Sequence, residues 1–297
     1  MIPLILVCGF LGSGKTTLLR HWARTASDRR IVYVVNEFSS RDVDSELLRQ
    51  DAPDVVPLPG GSIFCKCLAA DFHRTMRALA EGEWDTIVAE ASGVADPSST
   101  RTLLAETGLD RRIQLAEVLC VVDPATFPKL RSTLPAIVRQ VASADRIVVG
   151  KTDLHPQEAV SAVADELRRI NPSAEILLAE RGRVPLPDAA RYPTQRLDAP
   201  LPEHPDEALV RFEARLLGPT SLDSLRRELG QIPGLLRLKG FFDNGAGLRT
   251  VDFDGERWTE QEAPPGVAPS LAAIGLRESG DELRRALARV IQNAREP

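Results

Sequence analysis

An α/β fold, a mainly parallel sheet flanked by helices and followed by a smaller α+β unit, is predicted by three features of the 297-residue sequence. Apolar strand-like runs alternate with helical patterns through the first 180 or so positions. One strand-to-helix junction is a glycine-rich loop. A proline-rich stretch then separates this region from a shorter one of alternating pattern.

The first strand is the apolar run Leu4 to Cys8, and it empties into Gly9-Phe10-Leu11-Gly12-Ser13-Gly14-Lys15-Thr16-Thr17. Every fixed position of the strand, glycine loop, helix template G-x-x-x-x-G-K-[ST] is met. Glycines let the chain curl so that backbone N–H groups point at phosphate oxygens, and the next helix adds its partial positive charge. Gly12, Ser13, Gly14, Thr16 and Thr17 are the expected nucleotide-binding positions; Lys15 reaches the β- and γ-phosphates, and the Thr16 hydroxyl is offered to Mg²⁺. The pattern specifies a nucleoside triphosphate site.

A second strand, Arg30 to Val35, delivers the polar, acidic segment Asn36 to Asp44 to the ligand edge of the sheet, either as a switch loop or as a solvated acidic turn. Next come Val55 to Cys67 and an amphipathic helix with Leu68, Phe72, Met76 and Leu79 on one stripe. Cys65 and Cys67, at a glycine-rich loop before a helix, are either ordinary packing thiols or two ligands of a borderline metal such as Zn²⁺. Two ligands do not complete a site, and Glu37, Asp42 and His73 are the candidates for a third. Trp84 to Glu90 reads as the third strand, and Glu90 followed by Gly93 suits a second phosphate motif: the carboxylate holds the Mg²⁺ shell or a water, and the Gly93 N–H meets the γ-phosphate.

Leu115 to Asp123 and Ala144 to Asp153 read as the fourth and fifth strands with polar ends. Lys151-x-Asp153 suits guanine, whose N1–H and exocyclic amine can both donate to one carboxylate while the lysine stem lies over the purine. Asp153 alternatively caps the helix that begins near Pro156, and the two roles are compatible. A helix through Leu167 and the strand Glu175 to Leu178 complete a first domain over 1–182. Six prolines between Arg183 and Pro205 predict an extended linker over 183–206. The C-terminal domain, 207–297, is predicted as strands at Leu209 to Leu216, Leu235 to Lys239 and Leu248 to Phe253, with helices near Ser221 to Leu229 and Asp281 to Ile291.

Composition sets limits on partners. A net charge of -5 gives no electrostatic case for nucleic acid, and no apolar stretch approaches the length of a membrane span. The first residues run into a strand without a basic n-region, so a cytoplasmic location is expected. Cys8 and Cys120 fall within strand-like runs and are expected to be buried, inert thiols.

The phosphate loop, Asn36-Glu37-Phe38 with Asp44, Glu90-Ala-Ser-Gly93 with Asp96-Pro97, Val122-Asp123, Lys151-x-Asp153 and Leu236-Arg-Leu-Lys-Gly-Phe241 together resemble the CobW family of P-loop GTPases, related to the HypB, UreG and MeaB accessory GTPases. The resemblance covers nearly the whole chain. It implies a GTPase, with Lys15 and Glu90 as the catalytic pair and Thr16, Asp44 and Glu90 around Mg²⁺; no glutamine or arginine finger is identifiable, so slow turnover is expected. It also implies a metallochaperone that hands a metal, Zn²⁺ or Co²⁺, to a client metalloprotein, with a nucleotide-dependent homodimer as a further partner state. Where the family has C-x-C-C, this chain reads Cys65-Lys66-Cys67-Leu68, which leaves Cys65, Cys67 and Glu37 as the metal ligands carried over. Gly150 stands where Asn or Ser is usual in the guanine motif. Two alternatives stay open: a GTPase chaperone for a corrinoid or other metallocofactor enzyme that binds no metal through its own cysteines, and a small-molecule kinase.

Overall fold

The computed structural model describes residues 1–37, 48–59, 69–91, 97, 100–131, 134–188, 209–253, 255, 257–263 and 267–293, which fold as two compact units. In the first, strands β1 (Ile2–Cys8), β2 (Ile31–Glu37), β3 (Val55–Pro59), β4 (Thr86–Glu90), β5 (Ile113–Val122), β6 (Arg146–Val149) and β7 (Glu175–Leu178) form one sheet in the order β3-β2-β4-β1-β5-β6-β7. All six pairings are parallel. Leu4, Ile5, Leu6 and Val7 are all fully buried. Their side chains alternate between the two faces, so β1 is covered on both, which explains why its sequence is continuously apolar.

Helices of this unit include α1 (Lys15–Thr25), α2 (Ala69–Ala80), α3 (Thr100–Glu106), α4 (Phe127–Leu130), α5 (Pro135–Ser143) and α6 (Gln157–Ile170). Leu18, Leu19 and Trp22 of α1 pack with Ile5, Val7, Tyr33, Val35 and Val121 in the unit's core. On α2 the stripe expected from spacing is realised by Phe72 and Met76, both fully buried. Val184 and Leu186, at the head of the expected linker, also belong to the core, and the Trp22 indole N–H donates to the Val184 carbonyl at 2.8 Å. A buried indole needs such an acceptor, and it fastens the start of the proline-rich stretch to the first unit.

In this unit one strand escaped the sequence reading. β3 carries Pro57 and Pro59, residues that normally argue against a strand. Asp54 O accepts from Tyr33 N at 2.9 Å, so even-numbered residues direct their backbone groups toward β2 and the two prolines direct theirs outward. β3 is the sheet edge, where a missing N–H breaks no ladder. The run from Trp84 is therefore the fourth strand and begins at Thr86.

The second unit has an antiparallel sheet in the order β11-β10-β9-β12-β8, built from β8 (Leu209–Arg215), β9 (Leu235–Asp243), β10 (Leu248–Phe253), β11 (Trp258–Glu262) and β12 (Ser270–Leu276). Leu225 and Leu229 of α7 (Leu222–Leu229) and Leu283, Ala286, Leu287 and Val290 of α8 (Gly280–Asn293) pack with Leu238, Phe242, Val251 and Ala273 of the sheet. Ser221 caps α7, its side chain accepting from Ser224 N at 3.1 Å. β11 and β12 were not anticipated: β11 is a polar edge strand, and β12 is small-residue-rich and gains its strand character from pairing on both sides.

Glu117 on β5 is 2% exposed, and burial pushes its carboxyl up to about 7 against the opposing pull of Arg146. Between its ordinary 4.5 and about 7 the folded state holds more protons than the unfolded one, so stability falls as pH rises through that window. Glu117→Gln removes the charge and leaves Arg146 paired with Glu175 at 2.9 Å. Thermal unfolding of this variant is expected to rise at pH 8 by a few degrees, about 1–3 kcal/mol, and to show no gain at pH 4.5.

Candidate functional site

The site collects at the carboxyl ends of β1, β4, β5 and β6, the edge at which parallel α/β sheets present loop residues to ligands. After β1, Gly9, Gly12 and Gly14 take positive φ of 135°, 77° and 107°. Ser13 N donates to Phe10 O at 3.1 Å, and Leu18 N to Gly14 O at 3.0 Å, closing a tight loop directly onto α1. Gly14 is the N-cap of α1 and supplies no side-chain cap, which leaves the first N–H groups of the helix for a ligand. At Gly9 a Cβ would collide with the Val121 carbonyl of β5, so only glycine lets the loop start so close to its neighbouring strand.

Lys15 is 6% exposed, and its ammonium donates to Gly9 O at 2.9 Å and Phe10 O at 3.3 Å. It lies 3.6 Å from Oε1 of Glu90, the last residue of β4, itself 7% exposed. β4 pairs directly with β1, Val7 opposite Glu90, and Ala91 N donates to Val7 O at 2.8 Å. Sheet register therefore sets the carboxylate beside the phosphate loop. Thr16 and Thr17 occupy the first turn of α1. Ser13 is 1% exposed, and its hydroxyl has no hydrogen-bond partner among the described residues.

The other end of the site is assembled from the ends of β5 and β6. Asp123, 3% exposed, accepts from Ala125 N at 2.9 Å, holds the Lys151 ammonium at 2.7 Å and lies 3.3 Å from His155 Nε2. Lys151 adopts φ 55°, and Asp153 follows in the 3-10 turn Thr152–Leu154. Asp153 does not cap α6: the N-cap position is Pro156 and no side chain bonds there. Its carboxylate instead lies 3.6 Å from Arg181 Nε. The two ends of the site meet where Gly150 N donates to Val122 O at 2.8 Å and the Gly150 α-carbon faces the phosphate loop, a Cβ there falling 3.1 Å from Ser13 O.

A family profile described as CobW/HypB/UreG, nucleotide-binding domain, matches residues 3–178, the span that contains every element of this site up to β7. The chain belongs to the CobW/HypB/UreG family. Among curated proteins it is 33% identical over 220 residues to the zinc chaperone CobW of Pseudomonas aeruginosa, covering 63% of this chain and 58% of that one. It is 30% identical over 192 residues to the zinc chaperone YjiA of Escherichia coli, covering 62% and 59%. The chain thus spans under two thirds of the length of the curated CobW relatives it matches. Among solved structures, the Zn(II)-bound YjiA GTPase from E. coli aligns over 97% of this chain and 98% of its own at 19% identity and a TM-score of 0.46.

Lys15, Glu90, Lys151 and Asp153, singled out from sequence, thus share one sheet edge. Gly93, Asp96, Asp44, Cys65 and Cys67 lie outside the described residues, as does the side chain of Glu37, whose backbone ends β2. Among the described residues no group of three His, Cys, Asp or Glu is placed to hold a metal ion. Cys8 and Cys120 are buried opposite one another on β1 and β5, and burial pushes the Cys8 thiol well above its ordinary value. Asp123, His155 and Arg181 were not singled out as site residues. Asp123 had a signal, an acid directly after a buried strand; Arg181 had none, because its approach to Asp153 depends on a loop that returns to the site from β7. No described helix is long and apolar enough to cross a membrane.

Proposed function

We propose that this chain is a GTP-binding and GTP-hydrolysing metallochaperone that couples its nucleotide state to the handling of zinc and its delivery to a client metalloprotein. The observation that carries the reading is the meeting of Lys15, Glu90, Lys151 and Asp153 at the ends of adjacent parallel strands, a phosphate cradle and a purine-reading carboxylate on one edge. The names of the relatives, zinc chaperones in both bacteria, support the metal half of the reading.

In this mechanism the 9–17 loop positions the phosphates and Lys15 neutralises charge developing on the β- and γ-oxygens. The buried Glu90 carboxylate and the Thr16 hydroxyl in the first turn of α1 are oxygen donors of the kind Mg²⁺ takes, and with Asp44 they would hold it. The ion would supply further neutralisation of the phosphates. Glu90 also orients the attacking water. No glutamine or arginine finger is identifiable in the sequence, so intrinsic turnover is slow. Cys65, Cys67 and Glu37 would receive the zinc cargo, and Gly93 would report the γ-phosphate to the segment that follows it. A cytoplasmic location, an unidentified client and a nucleotide-dependent homodimer belong to the same reading.

The test is a competition titration of Zn²⁺ against a chromophoric chelator, in Mg²⁺ with a non-hydrolysable GTP analogue and then with GDP, on wild type and Cys65→Ser. The analogue is expected to change zinc affinity by about tenfold or more, roughly 1.4 kcal/mol of coupling, and the substitution to abolish the effect. Equal affinities in all conditions would remove the metal half of the proposal and favour a client chaperone whose cysteines hold no metal.

A further inference from the structure

Arg181 sits on a loop anchored by backbone contacts both to the turn that carries Asp153 and to α1. Ala179 N donates to Val149 O at 2.8 Å and Thr152 N to Ala179 O at 3.2 Å, which fastens the start of the loop to the turn carrying Asp153. Gly182, at φ 70°, packs so closely on α1 that a Cβ would fall 2.8 Å from Leu18 N and 2.9 Å from the Thr17 carbonyl carbon. Val184 N then donates to Gly182 O at 2.9 Å, and Val184 O receives the Trp22 indole N–H at 2.8 Å. Between these anchors Arg181 itself takes φ 49°, a left-handed conformation that is uncommon for a non-glycine residue. That conformation accompanies a guanidinium 3.6 Å from Asp153, with the arginine side chain 77% exposed and the carboxylate 23%.

The chemistry of the guanine edge accounts for the pairing. Asp153 can accept from N1–H and the exocyclic amine, but the adjacent O6 is an acceptor and requires a donor beside the carboxylate. Gly150 has no side chain to offer, and the Lys151 ammonium is held at 2.7 Å by Asp123. We propose that Arg181 is a specificity-determining residue that donates to O6 of a guanine base while Asp153 accepts from N1–H, so that the pair reads the edge as donor and acceptor side by side. The proposal rests on the guanine reading of Asp153 given above. Adenine presents the reverse pattern at these two atoms, an acceptor at N1 and a donor at C6, and meets like against like at both positions.

The experiment measures affinities of GDP, IDP and ADP for the full chain by competition with a fluorescent nucleotide, on wild type, Arg181→Ala and Arg181→Lys. Hypoxanthine keeps O6 and N1–H and lacks the exocyclic amine, so it isolates the contact assigned to Arg181. Arg181→Ala is expected to weaken GDP and IDP alike by about tenfold, with ADP not weakened, and Arg181→Lys to recover part of the loss. Tighter GDP binding by the alanine variant would mean that Arg181 only competes for Asp153, and unchanged GDP binding would mean that it touches no base; either result overturns the proposal. An equal loss for all three nucleotides would assign Arg181 to loop structure alone and overturns it as well. Absence of any GDP preference over ADP in the wild type is a separate outcome: it strikes the guanine reading of Asp153 itself, before any variant is compared.

Discussion

Lys15→Ala is expected to lower nucleotide affinity by at least about a hundredfold and to bring GTP turnover to background. The ammonium is held at the centre of the loop by the Gly9 and Phe10 carbonyls, 6% exposed, where triphosphate oxygens would converge. A charge-assisted contact to phosphate in such a site contributes on the order of 2–3 kcal/mol, and losing its charge also leaves Glu90 beside the phosphates without the cation that lies 3.6 Å away. Two effects therefore add: the attractive contact goes, and a buried carboxylate now repels the incoming anion. Calorimetric titration of GDP into the variant, with circular dichroism to establish that it is folded, reads the result. Wild-type affinity in a folded Lys15→Ala protein would mean that the 9–17 loop does not cradle phosphates.

Gly9→Ala is expected to be the most damaging single-methyl change in the first unit, lowering stability by about 3 kcal/mol or more and nucleotide affinity with it. A backbone at φ 135° is poorly open to alanine, and the added Cβ would collide with the Val121 carbonyl, a backbone atom of a central strand that has nowhere to move. Gly14→Ala separates the two causes. Gly14 also has positive φ, 107°, but no atom lies within 4 Å of its Cβ position, so that variant suffers conformational strain alone, about 1–2 kcal/mol. Urea unfolding midpoints of the two variants measure the difference. Equal costs would show that strain, and not the approach to β5, determines the requirement at Gly9.

Several parts of the site and fold could be read in the chain because their causes are local. The turn from β1 into α1 is made by hydrogen bonds spanning three or four residues, Ser13 to Phe10 and Leu18 to Gly14, so the motif carries its own geometry wherever the chain places it. Phe72 and Met76 announced the buried face of α2 by spacing alone, and the helix read near Ser221 to Leu229 is α7, Leu222–Leu229. β3 could not be read this way: Pro57 and Pro59 are unfavourable in a strand until the sheet order makes that strand an edge. β12 could not either, since its small side chains acquire meaning only between β8 and β9.

By itself, then, the sequence determined that this protein has a phosphate-loop motif, an acid at the end of a later apolar strand and a Lys-x-Asp turn, since each is a short run whose residue types dictate its own conformation or chemistry. The tertiary structure alone decided which of these meet. β4 lies next to β1 and brings Glu90 to Lys15; β5 and β6 lie side by side and close Asp123 on Lys151; and the chain returning from β7 carries Arg181 to Asp153. The physical reason is that side-chain pairs distant in sequence are positioned by sheet order and register, which depend on burying the apolar faces of every strand at once and not on any one stretch of the chain.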